Sequence, residues 1–203
     1  MVARRPGRRR FWRLMFLSLA CTMPSLATAR EPVQPQFSLE TLMRGLASIS
    51  QRHERFTEEK SFAALDRSIV VAGELLYRQP AYLEKLTLRP RFERLTIDGD
   101  VLTLIDGGGA TRRVDLGDQP ELRGLIDAMR ATLAGNLSTL QRSFQVTLAG
   151  SLPAWQLTLV PVSVAVARLV ETVRIDGTDN RLTQVETTQA NGNSSRMVIE
   201  PLP

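Results

Sequence analysis

The chain has few of the residues from which metal and disulfide sites are built. Cys21 is its only cysteine and His53 its only histidine among 203 residues. A zinc site of the usual kind needs several such ligands together, and an internal disulfide needs two cysteines. We therefore expect no metal site and no cofactor.

Common catalytic motifs are also missing. Ser151 follows Gly150 but lacks the Gly-x-Ser-x-Gly turn of hydrolases. The glycine run at 107–109 is not followed by the Lys-Ser/Thr pair of a phosphate-binding loop. Glu58 and Glu59 are adjacent, so in a strand they point to opposite faces and form no carboxylate pair. We expect no enzymatic activity.

The positive charge of the chain is confined to its start. The formal net charge is +5, but residues 1–29 hold six arginines and no acidic residue. The rest of the chain carries 20 basic and 21 acidic side chains and is close to neutral. A nucleic-acid surface needs clustered basic residues outside such a segment, so no nucleic-acid partner is predicted.

Residues 1–29 have the layout of a cleavable signal peptide. The arginines precede an apolar run from Leu14 to Met23, and the small residues Ala27-Thr28-Ala29 follow. Pro24 interrupts the run well before the roughly 17–25 apolar residues of a membrane-spanning helix. We predict export to the periplasm, cleavage after Ala29, and a single domain over residues 30–203.

Two variants of this leader stay open. Arg8-Arg9-Arg10-Phe11 resembles a twin-arginine export signal, as an alternative to the general secretory route. Cys21 would be the modified residue if the protein were lipidated, although Ser18 stands where such signals usually have leucine.

The stretch from Ser68 to Leu116 predicts a series of antiparallel strands. Apolar residues alternate along its first segment, which is the period of a strand with one buried face. Asp98-Gly99-Asp100 and Gly107-Gly108-Gly109 are typical of tight turns between strands. Residues 51–60 are polar around Phe56; we interpret them as a preceding strand, with a solvated extension of the first helix as the alternative.

Two amphipathic helices flank these strands. Ser38 is a helix N-cap before an apolar stripe that runs to Ile49, and Pro120 opens a second helix that ends at Gly135-Asn136. A short helix and further strands follow, with a hairpin turn at Asn191-Gly192-Asn193. The fold class predicted is α+β, a strongly curved antiparallel sheet forming an incomplete, half-open β-barrel covered by two or three helices.

The order of several motifs resembles that of the periplasmic outer-membrane lipoprotein carriers, the LolA-like family. These motifs are Leu39-x-x-Leu42-Met43 at the start of a helix, Arg55 to Lys60, Gly73-Glu74-Leu75 running into Tyr77-Arg78-Gln79-Pro80, and the hairpin at residues 97–100. The resemblance covers Phe37 to Glu200, and the chain is similar to a divergent branch of the family.

The resemblance implies a carrier whose apolar cavity shields the acyl chains of a lipoprotein, or of a related acylated lipid, between the inner and the outer membrane. The implied partners are the acylated cargo, an inner-membrane donor complex and an outer-membrane acceptor, and the carrier itself is expected to be a monomer. The alternative is a periplasmic module that senses or receives lipid or lipoprotein without carrying it.

The same resemblance directs the choice of candidate residues. Close members of the family hold a helical lid through an arginine directly before the strand-ending proline, whereas this chain has Gln79 there and Arg78 one position earlier. We take both as candidates for the lid latch. The candidates for the apolar cavity are Leu42, Leu46, Leu75, Tyr77, Leu83, Leu86, Leu95, Ile97, Leu104, Leu125, Met129, Trp155 and Leu157.

Overall fold

The computed structural model describes residues 37–64 and 67–202. The predicted leader, residues 1–29 with Cys21, lies outside them. Eleven strands form one antiparallel sheet: β1 (Gln51–Phe62), β2 (Arg67–Arg78), β3 (Tyr82–Arg89), β4 (Glu93–Asp98), β5 (Val101–Asp106), β6 (Thr111–Asp115), β7 (Phe144–Gly150), β8 (Ala154–Pro161), β9 (Val170–Thr178), β10 (Arg181–Gln189) and β11 (Ser194–Pro201).

The sheet consists of two consecutive meanders that meet at β1 and β11. Its strand order is β6-β5-β4-β3-β2-β1-β11-β10-β9-β8-β7. Within each meander every strand pairs with its neighbour in sequence, and the register of β1 with β11 runs from Glu54 opposite Pro201 to Ser61 opposite Ser194. Among the described strands, β6 and β7 are the two edges, so the sheet is not closed into a barrel.

Four α-helices occur among the described residues: α1 (Leu39–Ala47), α2 (Pro120–Leu133), α3 (Leu137–Ser143) and α4 (Val164–Ala167). The Ser38 side chain accepts a hydrogen bond from the Thr41 backbone N–H at 3.2 Å, which caps α1. Pro120 is the first residue of α2, where its missing N–H costs little. In the part of the chain described here, no helix has the length and apolarity needed to cross a membrane.

Short turns fix the register of the first meander. Only Gly99 and Asp100 separate β4 from β5, and Gly99 has φ +54°, a value that glycine adopts without steric cost. Asp98 therefore pairs directly with Val101, and Ile97 with Leu102. The predicted tight turn at Asp98-Gly99-Asp100 is confirmed.

The apolar side chains form two clusters on the inner face of the sheet. The larger core joins all four helices to β7–β11, and Leu46, Leu140 and Leu157 are fully buried in it. The smaller core joins α2 to β2–β5 and contains Tyr77 and Ile126. The predicted α+β fold, with an incomplete barrel under helices, is confirmed, and residues 37–202 as described contain four α-helices where two or three were expected.

Candidate functional site

A cavity of about 380 Å³ lies on the inner face of the sheet beneath α2. Its lining side chains come from ten of the eleven strands, from Leu102 on β5 to Phe144 on β7. In a flat sheet those two strands would lie about 43 Å apart, because neighbouring strands are about 4.8 Å apart. The sheet therefore curves around the cavity.

The lining is mostly apolar because alternate residues of each strand point inward. Tyr77, Leu83 and Ile97 lie side by side on β2, β3 and β4. Helix α2 contributes the roof over this row. Its lining side chains are Leu122, Leu125, Ile126, Ala128, Met129, Thr132 and Leu133.

Seven of the thirteen predicted cavity residues line this space. They are Leu75, Tyr77, Leu83, Leu95, Ile97, Leu125 and Met129. Met129 is 48% exposed, so the cavity reaches the protein surface beside α2.

The other six predicted cavity residues lie elsewhere. Leu42 and Leu46 of α1 belong to the larger core together with Trp155 and Leu157. Leu104 packs in the smaller core. Leu86 pairs with Glu74 and Arg94 on the outer face of the sheet, because it is three residues from the inward-facing Leu83 and strand side chains alternate.

Trp155 is held in the core by a close approach to the next strand. It lies opposite Gly177, where a Cβ atom would come within 2.0 Å of the indole ring. The indole N–H donates a hydrogen bond to the Asp179 carbonyl at 2.8 Å. The ring therefore packs over the glycine instead of entering the cavity.

The sequence reasoning missed a polar group in the cavity wall. Arg52, Glu54, Glu58 and Lys85 are among its lining residues. The signal was in the sequence of β1, because residues at even spacing from Phe56 must share its buried face. Strand β1 alternates strictly between exposed and buried side chains from Gln51 to Glu58.

Glu58 and Lys85 form an ion pair in this wall. The Lys85 Nζ atom contacts a carboxylate oxygen of Glu58 and lies 4.8 Å from the centroid of the Phe56 ring. Lys60 approaches the same Glu58 oxygen to 3.8 Å. Burial lowers the pKa of the Lys85 ammonium, and the neighbouring Glu58 carboxylate opposes that shift.

Arg52 links the sheet to α1. Its Nη2 atom donates hydrogen bonds to the Asn180 carbonyl at 2.9 Å and to the Leu46 carbonyl at 3.4 Å. Burial lowers the pKa of its guanidinium and raises the pKa of the Glu54 carboxyl two residues away. A carboxylate oxygen of Glu54 lies 3.7 Å from an Arg181 nitrogen.

The two candidate latch residues lie in different places. The Gln79 side-chain amide donates to the Ala47 carbonyl at 3.2 Å and to the Ile49 carbonyl at 3.4 Å, at the end of α1. Arg78 is exposed, with its guanidinium carbon 4.3 Å from the centroid of the Tyr82 ring. Of these two, only Gln79 is placed to hold a helix.

Helix α2 is fastened to the β4–β5 hairpin by two arginines. Arg130 Nη2 donates to the Gly99 carbonyl at 2.6 Å, and Arg123 Nη2 donates to the Asp100 carboxylate at 3.0 Å. The Arg130 side chain is 12% exposed, whereas the Arg123 side chain is 42% exposed. We call Arg130 and Gly99 the α2 latch.

The site has the character of a binding cavity. The described residues contain no group of three or more histidine, cysteine, aspartate or glutamate side chains able to hold a metal ion. Apolar walls with a few convergent polar groups are typical of small-molecule pockets, whose volumes run from roughly 300 to 1,000 Å³. This cavity lies toward the lower end of that range.

Comparison with known protein families gives a match that covers most of the chain. A family model described as outer membrane lipoprotein carrier protein LolA-like matches residues 28–200. No curated protein matches the chain.

Two solved structures are similar at low identity. A LolA superfamily protein from Nitrosomonas europaea matches with 10% identity and a TM-score of 0.44, over 82% of this chain and 94% of that chain. The MucA/MucB complex of Pseudomonas aeruginosa matches with 14% identity and a TM-score of 0.44, over 81% of this chain and 56% of that chain.

Proposed function

Since the chain belongs to the outer-membrane lipoprotein carrier (LolA-like) family, we propose that it is a carrier that moves acylated cargo from the inner to the outer membrane. Proteins of this family are periplasmic modules that bind lipid or lipoprotein, and the family is one of binding proteins rather than enzymes. The acylated cargo is a lipoprotein or a related lipid. It is taken from an inner-membrane donor complex and passed to an outer-membrane acceptor.

The observation that carries the proposal is the apolar cavity between the sheet and α2. Moving an acyl chain from a membrane into water costs about 0.8 kcal/mol for each exposed methylene group. A soluble carrier must therefore offer the chain an apolar surface before it leaves the bilayer. Leu75, Leu95 and Met129 belong to such a surface, on β2, β4 and α2.

The cavity volume supports a carrier that opens to load. About 380 Å³ is the space of a small ligand, and a lipoprotein with several acyl chains needs more. Helix α2 forms the roof. It packs on the hairpin through the smaller core and is tied to the hairpin by Arg130 and Arg123, and in this proposal it is the element that moves. Gln79 and Arg52 donate hydrogen bonds to backbone carbonyls of α1, so in this proposal α1 is the fixed side of the opening.

The test is native mass spectrometry of the protein purified from the periplasm, followed by extraction of any co-purifying molecule under denaturing conditions. We expect an acylated species. A Leu95→Glu variant should lose it, because a charge then lies in the apolar wall. Leu88→Glu is the matched control, since Leu88 lies on the neighbouring strand and is 49% exposed.

Carriage is separated from simple binding by a transfer assay. Protein loaded with a fluorescent acylated peptide is mixed with acceptor vesicles containing outer-membrane extract. A carrier delivers the peptide, whereas a sensing or receptor module retains it. A protein that binds no acylated probe at all, while its thermal unfolding remains cooperative, contradicts the proposal.

A further inference from the structure

Two buried polar atoms in the cavity wall have no hydrogen-bond partner among the described residues. They are the Nε atom of Arg52 and the hydroxyl oxygen of Tyr77. The two residues are 7% and 3% exposed, and both line the cavity. A buried donor without a partner costs stability, so such groups usually serve a ligand or an ordered water.

The sheet places these two residues side by side. Arg52 on β1 and Tyr77 on β2 are direct cross-strand partners on the inner face, where Cβ atoms lie about 5 Å apart. The Arg52 guanidinium is held by the Asn180 and Leu46 carbonyls through its Nη2 atom, and its Nε remains a buried donor without a partner among the described residues. An oxyanion has more than one acceptor oxygen and can receive a hydrogen bond from each of the two residues.

The charges around this corner favour a negatively charged acceptor. Each carboxylate in the cavity wall has another cation within 4 Å: Glu58 has Lys85, Glu54 has Arg181 and Glu84 has Arg94. The Arg52 guanidinium instead donates its hydrogen bonds to neutral carbonyls, and on β1 the negative charge that acts on it is that of Glu54.

Arg130 adds to the positive potential near the Tyr77 hydroxyl. Its charge and that of Arg52 both act to lower the pKa of the Tyr77 phenol, although burial raises that pKa overall. The Nε atom of Arg130 is likewise buried without a partner among the described residues. The positive charge of both guanidinium groups favours an anion as the acceptor for the Tyr77 hydroxyl.

We propose that Arg52 and Tyr77 form a head-group site that binds the oxyanion of an acidic amphiphile, a carboxylate or a phosphate, while the acyl chain of the same molecule fills the apolar cavity. This inference rests on the proposed lipid-binding function and narrows its ligand class. Hydrogen bonds to a charged oxygen are roughly twice as strong as those to a neutral one, so the site selects acids over esters.

Probes with one chain and different head groups test the inference. Delipidated protein is titrated with palmitate, methyl palmitate, hexadecanol and palmitoyl lysophosphatidate, each displacing a fluorescent acyl probe. We expect at least one of the two acids to bind roughly tenfold or more tightly than the ester and the alcohol. The comparison of palmitate with lysophosphatidate identifies carboxylate or phosphate as the preferred group.

Tyr77→Phe is the informative variant because it removes a hydroxyl that makes no hydrogen bond within the described protein. We expect about tenfold weaker binding of the preferred acid, a smaller loss for the ester, and no loss of thermal stability. Tyr82→Phe is the matched control, since the Tyr82 hydroxyl donates to Glu84 at 2.6 Å and does not line the cavity.

The outcomes separate this inference from the proposed function. Equal binding of acids, ester and alcohol, or an unchanged affinity of Tyr77→Phe for the acid, overturns the head-group site and leaves lipid binding intact. Binding of no probe by the folded protein overturns both.

Discussion

Loss of the α2 latch should make the cavity open more often. The change is Arg130→Met, which keeps much of the apolar stem but removes the hydrogen bond from Arg130 to the Gly99 carbonyl. That bond is 2.6 Å long and its donor side chain is only 12% exposed, so solvent screens it weakly. Its removal leaves the contact of Arg123 with Asp100 as the remaining polar tie of the pair between α2 and the tip of the β4–β5 hairpin.

The magnitude follows from the type of bond. A hydrogen bond from a charged donor contributes about 1.5–3 kcal/mol. The variant also removes the buried Arg130 Nε, which has no partner among the described residues, and this gain offsets part of the loss. We expect the net loss of stability of the closed state to lie at the lower end of this range, about 1.5 kcal/mol. A loss of this size corresponds to a roughly tenfold larger population of the open state.

The assay is the rate at which a bound fluorescent acyl probe leaves the protein, measured by stopped-flow with excess acceptor vesicles. If opening limits release, Arg130→Met should release the probe roughly tenfold faster than the wild type. Hydrogen exchange of the backbone amides of α2 should accelerate by a similar factor, because the same opening exposes them.

Arg123→Met is the control on the same helix. The Arg123 pair with Asp100 has side chains 42% and 60% exposed, and exposed pairs contribute at most about 1 kcal/mol. Its release rate should therefore change by less than about fivefold. Equal effects of the two variants, or no effect of Arg130→Met on a stably folded protein, would refute the reasoning.

Three further predictions concern stability. Gly177→Ala should lower the free energy of unfolding by about 1–3 kcal/mol, because the added Cβ meets the Trp155 ring; an unchanged denaturation midpoint would contradict that packing. Lys85→Met should cost up to about 3 kcal/mol by leaving Glu58 buried without its main partner, and adding Glu58→Gln should restore most of it in a double-mutant cycle. Burial raises the folded-state pKa of Glu54 above its unfolded value, so the contribution of this carboxyl to stability is present at acidic pH and is lost as pH rises through the folded-state pKa. In urea titrations at acidic and neutral pH, Glu54→Gln should flatten this dependence and be more stable than the wild type at neutral pH. A steeper pH dependence of the variant would count against the reasoning.

Local chemistry in the sequence was sufficient for most of the fold. Ser38 and Pro120 mark the starts of the two long helices, and the Gly99 turn sets the register of β4 and β5. These signals act over a few residues, so they can be read without knowing the tertiary structure. Strand β1 was predicted mainly from the segments around it, since Phe56 is the only large apolar residue in 51–60.

The residues that line the cavity could not all be predicted from local sequence patterns. Leu75 and Leu157 both point inward, yet Leu75 faces open space beneath α2 whereas Leu157 is fully covered in the larger core. Alternation gives the face of a side chain but not what lies above it, which is set by the position of the helices.

The polar wall was missed for a different reason. Arg52, Glu54 and Glu58 are not among the predicted cavity residues, although the period of two places them on the same face as Phe56. Ion pairs and backbone carbonyls make their burial tolerable, and those partners come from distant strands. Leu86 was the opposite error, since the three-residue step from Leu83 already placed it on the outer face.

The pairing of β1 with β11 has a consequence for how the chain acquires this fold. These strands lie at the middle of the sheet, yet nearly the whole described chain separates them in sequence. Each meander can form from local hairpins, but the junction between them must wait until the last strand is available. Such long-range pairing forms slowly. A chain that emerges amino-terminus first therefore stays without its central seam until its last strand is available. The cavity, whose lining comes from both sides of that seam, is complete only once the seam has closed.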